Sequence, residues 1–313
     1  MTALRARALR IALSLAVWLA MIVFLVRQLE ALPDREVWAE LGAPSGLASL
    51  AAFGACFLAA LVLRAVRFGV LVRRVRALSW RDIAPGFFWI FLLGAVTPFR
   101  LGEAYRAVWL KRMGGEAAAG VGLWAGERIT DLLTLLLFLF IGLAAAPQTP
   151  DYAAAPLALV AAGAVLAYLT VWTRGRALTS WLHRRGAPGV VVNTLQVFDY
   201  MKDARAHAFT VLITLVIWAI MATGFWAGLH FIAPASPISP LAALLAVSAV
   251  NLAALMSGAP ANLGSFQAAF IAAVALYAAP VERAFVASVG VQLTGLAIAV
   301  VAGIAGWMLS RRA

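Results

Sequence analysis

Apolar residues gather in long windows at 9–28, 47–66, 83–97, 117–144, 154–173, 207–232, 241–257, 263–279 and 284–309, with polar residues confined to the connections between them. The windows are continuous rather than alternating, so they predict helices and not the strands of a barrel. About 20 residues of helix cover a hydrocarbon core of roughly 30 Å. Two windows, 83–97 and 241–257, end at proline and glycine and are followed by a shorter helical segment. Such interruptions are foreign to a plain membrane-crossing helix.

Composition agrees with this pattern. Hydrophobic residues make up 64% and charged residues 12% of the chain, and the mean hydropathy is +0.95. A soluble domain carries roughly half apolar and about a quarter charged residues, so an all-α polytopic membrane protein is expected. The net charge of +12 does not predict a nucleic-acid partner, because the 25 Lys and Arg are scattered through short loops. They serve instead as topology signals, since Lys and Arg in short loops mark the cytoplasmic side.

Three basic clusters stand out: Arg64, Arg67, Arg73, Arg74, Arg76 and Arg81; Arg106, Lys111 and Arg112; and Arg174, Arg176, Arg184, Arg185, Lys202 and Arg205. The first two flank 83–113, which therefore begins and ends on the cytoplasmic face as a re-entrant hairpin. The poorly basic loops 28–46, 145–153 and 233–240 belong outside, and Arg311 and Arg312 inside, so 241–279 is a second hairpin of opposite orientation. The expectation is six full spans plus two oppositely oriented re-entrant hairpins, with an uncleaved first span at 9–28 and both termini cytoplasmic.

The arrangement repeats. A single transmembrane domain, 1–313, contains a first repeat at 47–144 with hairpin 83–113 and an inverted second repeat at 207–309 with hairpin 241–279. The segment 174–206 is read as an amphipathic cytoplasmic connection. Pro98-Phe99-Arg100-Leu101-Gly102 matches Pro260-Ala261-Asn262-Leu263-Gly264, and both fall at hairpin breaks marked by Pro98, Gly102, Pro260 and Gly264. Non-helical backbone at membrane depth is tolerated only when buried in protein or lining a wet cavity, so the breaks predict a cavity. Helix N-termini with free amides at Leu101 to Glu103 and after Asn262 would point into it.

The window 117–144 carries Glu127, Arg128 and Asp131. A single charge at the bilayer centre costs about 2.5–3.5 kcal/mol on insertion scales, so three within one helix must face protein or water. Their natural partners are Arg100 and Glu103 at the first break, and the five residues are expected to form one buried network. The other half supplies uncharged polar counterparts, Asn251, Asn262, Ser265, Gln267 and Gln292. Arg128 and Arg100 are the groups able to hold an anion. The sequence contains no phosphate-binding glycine loop, no HExxH, no GxSxG and no metal-ligand cluster, so neither cofactor nor metal is expected.

With "TPFRLGEAYRAVWLKR", "ERITDLL" and "PANLGSFQAAF" in place, the chain resembles the flippase-like transmembrane domain of bacterial lysylphosphatidylglycerol synthases, which also occurs as stand-alone membrane proteins. Pro98, Arg100, Gly102 and Glu103 match the family's first motif, Glu127, Arg128 and Asp131 its second, and Gly264 its third. Charged residues often found after the third motif are here Ser265 and Gln267. The synthases add a cytoplasmic aminoacyl-transferase domain, to which nothing here corresponds. The resemblance implies a lipid translocator of the bacterial inner membrane with a phospholipid or polyprenyl-phosphate-type lipid as partner, and no enzymatic activity. A homo-oligomer is left open. The alternatives are a membrane enzyme modifying a lipid headgroup, with Glu127 and Asp131 as acid and base, and a small-solute or ion transporter.

Overall fold

Proline residues set where several helices begin and end. The computed structural model describes residues 35–149, 154–186, 204–230 and 238–310, and among them every regular element is a helix. A short helix α1 (Arg35–Gly42) precedes α2 (Pro44–Val75), which starts on a proline in its first turn and ends with Arg73 and Arg74. Proline suits that first position because its missing N–H has no partner there, and cations suit the last turn. The first interrupted unit follows as α3 (Trp80–Val96), a 3-10 segment (Pro98–Ala104) and α4 (Tyr105–Arg112). Then come α5 (Ala117–Ala144), α6 (Ala154–Arg184) and α7 (Ala204–Leu229). The second interrupted unit is α8 (Pro240–Met256), a 3-10 turn (Pro260–Asn262) and α9 (Ser265–Ala275), and α10 (Val281–Ser310) closes the described chain.

Both interruptions have the same cause. Thr97 and Ala259 each precede a proline and are extended, at φ −91°, ψ 145° and φ −76°, ψ 131°, the conformation that a following pyrrolidine ring imposes. The helices entering the breaks are 17 residues long each, about 25 Å at 1.5 Å per residue and short of a full crossing. By contrast α2, α7 and α10 are long and apolar enough to cross a membrane. Helix α5 has 28 residues, yet every stretch of 18 residues within it holds all of Glu127, Arg128 and Asp131. Its charges, not its length, set it apart.

Helix α2 packs along α7, α3 along α10, and α8 along α5; α4 lies on α5 as α9 lies on α10. Exchanging α2 with α7, α3 with α8, α4 with α9 and α5 with α10 leaves this set of neighbours unchanged. The two 3-10 segments touch each other. One apolar core, with Trp218, Phe225 and Phe270, joins α2, α5, α7, α8, α9 and α10, and a second, with Phe68, Phe87 and Trp109, joins α2 to the first interrupted unit.

Some expectations shift. Helix α2 runs nine residues past the end of the 47–66 window, α1 occupies what was read as an outer loop, and the start of the 174–206 connection is a continuation of α6. The 9–28 window, the connection from 187 to 203, and Arg311 and Arg312 lie outside the described residues.

Candidate functional site

Seven charged side chains form an alternating series between the first break and helices α2, α4 and α5. From α2, Arg67 donates from Nη1 to Asp131 Oδ1 at 2.7 Å and from Nη2 to Asp131 Oδ2 at 3.1 Å. Its Nε lies 3.6 Å from Glu127 Oε1. Glu127 in turn accepts from Arg106 of α4. On the other side of Asp131, Arg128 Nη1 sits 3.7 Å away, and Arg128 Nε is 3.2 Å from Glu103 Oε2. Arg100 Nη1 completes the series 3.6 Å from Glu103 Oε1. In order these are Arg106, Glu127, Arg67, Asp131, Arg128, Glu103 and Arg100.

Helical spacing explains the order. Glu127 and Asp131 stand one turn apart on one face of α5, so a single guanidinium from α2 spans both. Thr214 and Trp218, likewise one turn apart on α7, close the ring around that pair: Arg67 Nη1 donates to Thr214 Oγ1 at 2.7 Å, and Trp218 Nε1 donates to Asp131 Oδ1 at 3.0 Å. Trp124 Nε1 donates to Glu103 Oε2 at 2.5 Å. The side chains of Arg67, Glu127 and Asp131 are almost fully buried, while Arg128 and Arg100 retain 20% and 22% exposure. The buried end of the series is closed and the other end faces space.

The expected five-residue network is thus present but is not continuous by itself. Glu127 joins Asp131 only through Arg67, a residue assigned from sequence to a cytoplasmic basic cluster, as were Arg64 and Arg106. That assignment is corrected: Arg67 and Arg106 are buried, because the carboxylates of α5 face them. Arg64, one helical turn before Arg67, places its guanidinium 4.6 Å from the centre of the Trp218 ring, and Arg106 places its own 5.0 Å from that of Phe68. The basic residues left near the end of α2 are Arg73, Arg74 and Arg76.

Arg100 borders three neighbouring cavities. The first contains about 740 Å³ of open space and has Arg64, Arg100, Asn251, Asn262 and Gln292 among its polar lining. Five phenylalanines, Phe53, Phe57, Phe91, Phe225 and Phe266, supply apolar wall. The second is bordered by Arg128, Asp131 and Trp218 and reaches Trp124 and Leu255, whose side chains are 37% and 45% exposed.

Arg100 and Asn262, which occupy matching positions in the two pentapeptides, both have left-handed backbone, at φ 53° and 55°. Non-glycine residues visit that region at a cost of about 1–2 kcal/mol, so both breaks hold their third residue in a strained conformation, and in the second break the preceding Ala261 shares it at φ 54°. Gly102 is needed for a different reason: a Cβ there would overlap the backbone of Leu93 and Gly94.

The amides expected to be free are not all free. Gly102 N donates to Thr97 Oγ1 at 2.7 Å, and Thr97 Oγ1 donates to the Leu93 carbonyl at 2.6 Å. In the second break Gly264 N donates to Gln267 Oε1 at 2.8 Å. Gln267 also donates to Gln292 Oε1, and Gln292 Nε2 donates to the Ala261 carbonyl at 2.8 Å. Ser265 Oγ donates to the Asn262 carbonyl at 3.0 Å, and Asn251 Nδ2 to the Val247 carbonyl at 2.7 Å. Gln267 and Ser265 therefore fasten the second break, whereas Asn251, Asn262 and Gln292 also line the cavity. Among the described residues, no group of His, Cys, Asp and Glu is placed to hold a metal ion.

No curated protein and no solved structure gives a significant match to the chain. The family model described as "Lysylphosphatidylglycerol synthase TM region" matches residues 7–303. That description corrects one expectation from sequence: the family is named for a synthase, so the chain is tied to an enzyme family and the exclusion of enzymology is withdrawn. With the match running over nearly its whole length, this membrane protein belongs to the family of lysylphosphatidylglycerol synthase transmembrane regions.

Proposed function

We propose that the chain carries a phosphate-bearing membrane lipid, a phospholipid or a polyprenyl-phosphate type, between leaflets by lodging its headgroup where the two breaks meet. The observation that carries this reading is the composition of the cavity bordered by Arg100. Cationic and amide side chains line it together with five phenylalanines. A lipid needs both, a polar seat for the headgroup and an apolar path for the tails. The half-exposed Leu255 and Trp124 at the edge of the adjoining cavity supply a sideways exit toward hydrocarbon. The family's link to lysylphosphatidylglycerol, itself a phospholipid, supports a lipid over a soluble solute.

In this reading α3 with α4 and α8 with α9 are re-entrant hairpins of an inverted repeat, 47–144 and 207–309, within one domain of six spans. Both termini face the cytoplasm of a bacterial inner membrane. The exchange of neighbours that leaves the helix packing unchanged and the shared left-handed turn at Arg100 and Asn262 support the repeat. Converging broken helices of this kind build the substrate site in several transporter folds. Glu103, Glu127 and Asp131 orient the arginines. Arg128, between Glu103 and Asp131, stands behind Arg100 at the cavity wall.

The test is movement of fluorescently labelled phosphatidylglycerol between leaflets of proteoliposomes, read by dithionite quenching. Wild-type protein is expected to move the label and Arg100→Ala to lose that movement. Protein-free and wild-type vesicles quenching at the same rate would overturn the reading. Mass spectrometry of the same lipids registers any headgroup modification alongside.

A further inference from the structure

The charge series leaves two cations over. Five arginines, Arg64, Arg67, Arg100, Arg106 and Arg128, face three carboxylates, Glu103, Glu127 and Asp131, and each carboxylate already takes two arginines. The surplus is not spread evenly. Arg67 is held by both Asp131 and Glu127, and Arg128 by Glu103 and Asp131. Among the described residues Arg64 makes no ion pair within 4.0 Å and no hydrogen bond; its guanidinium lies over the face of Trp218. Arg100 has a single long contact, 3.6 Å to Glu103. These two, from α2 and the first break, line the same cavity.

We infer that Arg64 and Arg100 form an anion site for a phosphate group, and that the headgroup accepted is anionic rather than zwitterionic. This rests on the lipid-carrying reading above and narrows it. Arg64 and Arg100 are partly buried at the cavity wall with N–H donors to spare, and phosphate matches the fork of a guanidinium. An ammonium beside that phosphate finds no carboxylate partner and meets two like charges: no carboxylate lines this cavity while Arg64 and Arg100 do, and the three carboxylates nearby each already take two arginines. The amides of Asn251, Asn262 and Gln292 suit uncharged hydroxyls of the headgroup instead. Trp218 fixes Arg64 from behind, since its indole N–H is anchored on Asp131 while its face carries the guanidinium, a cation–π arrangement. Arg64 is thus positioned by the network without being neutralised by it.

The inference separates Arg64 from Arg67, its neighbour one turn on. Removing Arg64 leaves no carboxylate orphaned, so Arg64→Gln is expected to fold with an unchanged melting temperature in detergent. Binding is read by the rise of that temperature with dihexanoyl phosphatidylglycerol, dihexanoyl phosphatidylcholine and glycerol 3-phosphate. Phosphatidylglycerol is expected to stabilise the wild type and phosphatidylcholine not to. Arg64→Gln is expected to weaken the phosphatidylglycerol response by about tenfold or more, the loss of one charge-assisted contact, and Arg64→Lys to restore part of it. Arg100→Gln serves as the second variant, expected to weaken the same response.

Equal responses to the two lipids, or an unchanged response in Arg64→Gln and Arg100→Gln, would overturn the anion site while lipid movement by the wild type in proteoliposomes stood. A response to glycerol 3-phosphate as strong as to phosphatidylglycerol, lost in Arg64→Gln, would support the anion site and remove the lipid reading.

Discussion

Arg67 and Asp131, on helices α2 and α5, form a two-pronged pair, Nη1 to Oδ1 at 2.7 Å and Nη2 to Oδ2 at 3.1 Å, with both side chains almost fully buried. Breaking a buried pair by removing one partner costs about 3–5 kcal/mol, because the remaining charge is left desolvated. Arg67→Gln and Asp131→Asn should each lose about that much stability. The double variant should lose less than the two together, since neither orphan then remains. Denaturant unfolding in detergent micelles measures all three, and strictly additive losses would show that the pair is not coupled.

Thr97 predicts a subtler effect at the first break. Its hydroxyl accepts from Gly102 N and donates to the Leu93 carbonyl, tying the end of α3 to the segment that presents Arg100 and Glu103. Thr97→Val keeps the shape, and the Leu93 carbonyl still accepts from Thr97 N, but the part-buried Gly102 amide loses its acceptor, a loss of about 1–3 kcal/mol. Thr97→Ser should retain nearly full stability. Identical unfolding midpoints for Thr97→Val and wild type would mean that the hydroxyl does not hold the break.

How much of this was legible in the sequence follows from what each residue had to reveal. The helical class, the membrane location and the two interruptions were readable because hydropathy and proline act locally. Glu127, Arg128 and Asp131 were readable because charge inside an apolar window has no cheap solvated position. Arg64, Arg67 and Arg106 were not, since Arg64 and Arg67 lie at the edge of an apolar window and Arg106 between two of them, each near other basic residues, where a loop cluster and a buried ligand look alike. What separates them is a partner 21 residues away for Arg106 and 64 away for Arg67. One signal was available: Arg64 and Arg67 share a helical face three residues apart. Thr97 and Trp218 carried no charge to mark them, and their roles appear only when the helices are packed.

Gln292 and Gln267 supply the matching prediction at the second break. Gln292 bridges the Gln267 amide and the Ala261 carbonyl, and Gln267 in turn caps Gly264 N. Gln292→Leu leaves both ends of that bridge unpaired and should cost about 1–3 kcal/mol. Gln267→Glu keeps the acceptor for Gly264 N but cannot donate to Gln292, so it should fall between Gln267→Leu and wild type. Thermal unfolding followed by circular dichroism orders the variants. A Gln267→Leu protein as stable as the wild type would show that the break holds itself through backbone alone.

The helix exchange that leaves the packing unchanged makes a last prediction, about glycines where short and long helices meet. Helix α8 lies on α5 at Gly142, where an added methyl would stand 2.7 Å from Leu245 Cβ and 2.9 Å from Leu245 N. In the counterpart contact α3 lies on α10 at Gly306, where the methyl would stand 2.6 Å from the Pro85 carbonyl oxygen. Both obstacles include backbone, which cannot swing aside, so Gly142→Ala and Gly306→Ala should each lose about 1–3 kcal/mol through overpacking. Gly163 of α6 is the internal control, since nothing lies within 4 Å of the methyl position. There the same substitution should gain about 0.5–1 kcal/mol from helix propensity alone. Opposite signs at Gly142 and Gly163 require that α8 be pressed against α5; a gain at all three positions would mean that the interrupted units stand off from the long helices.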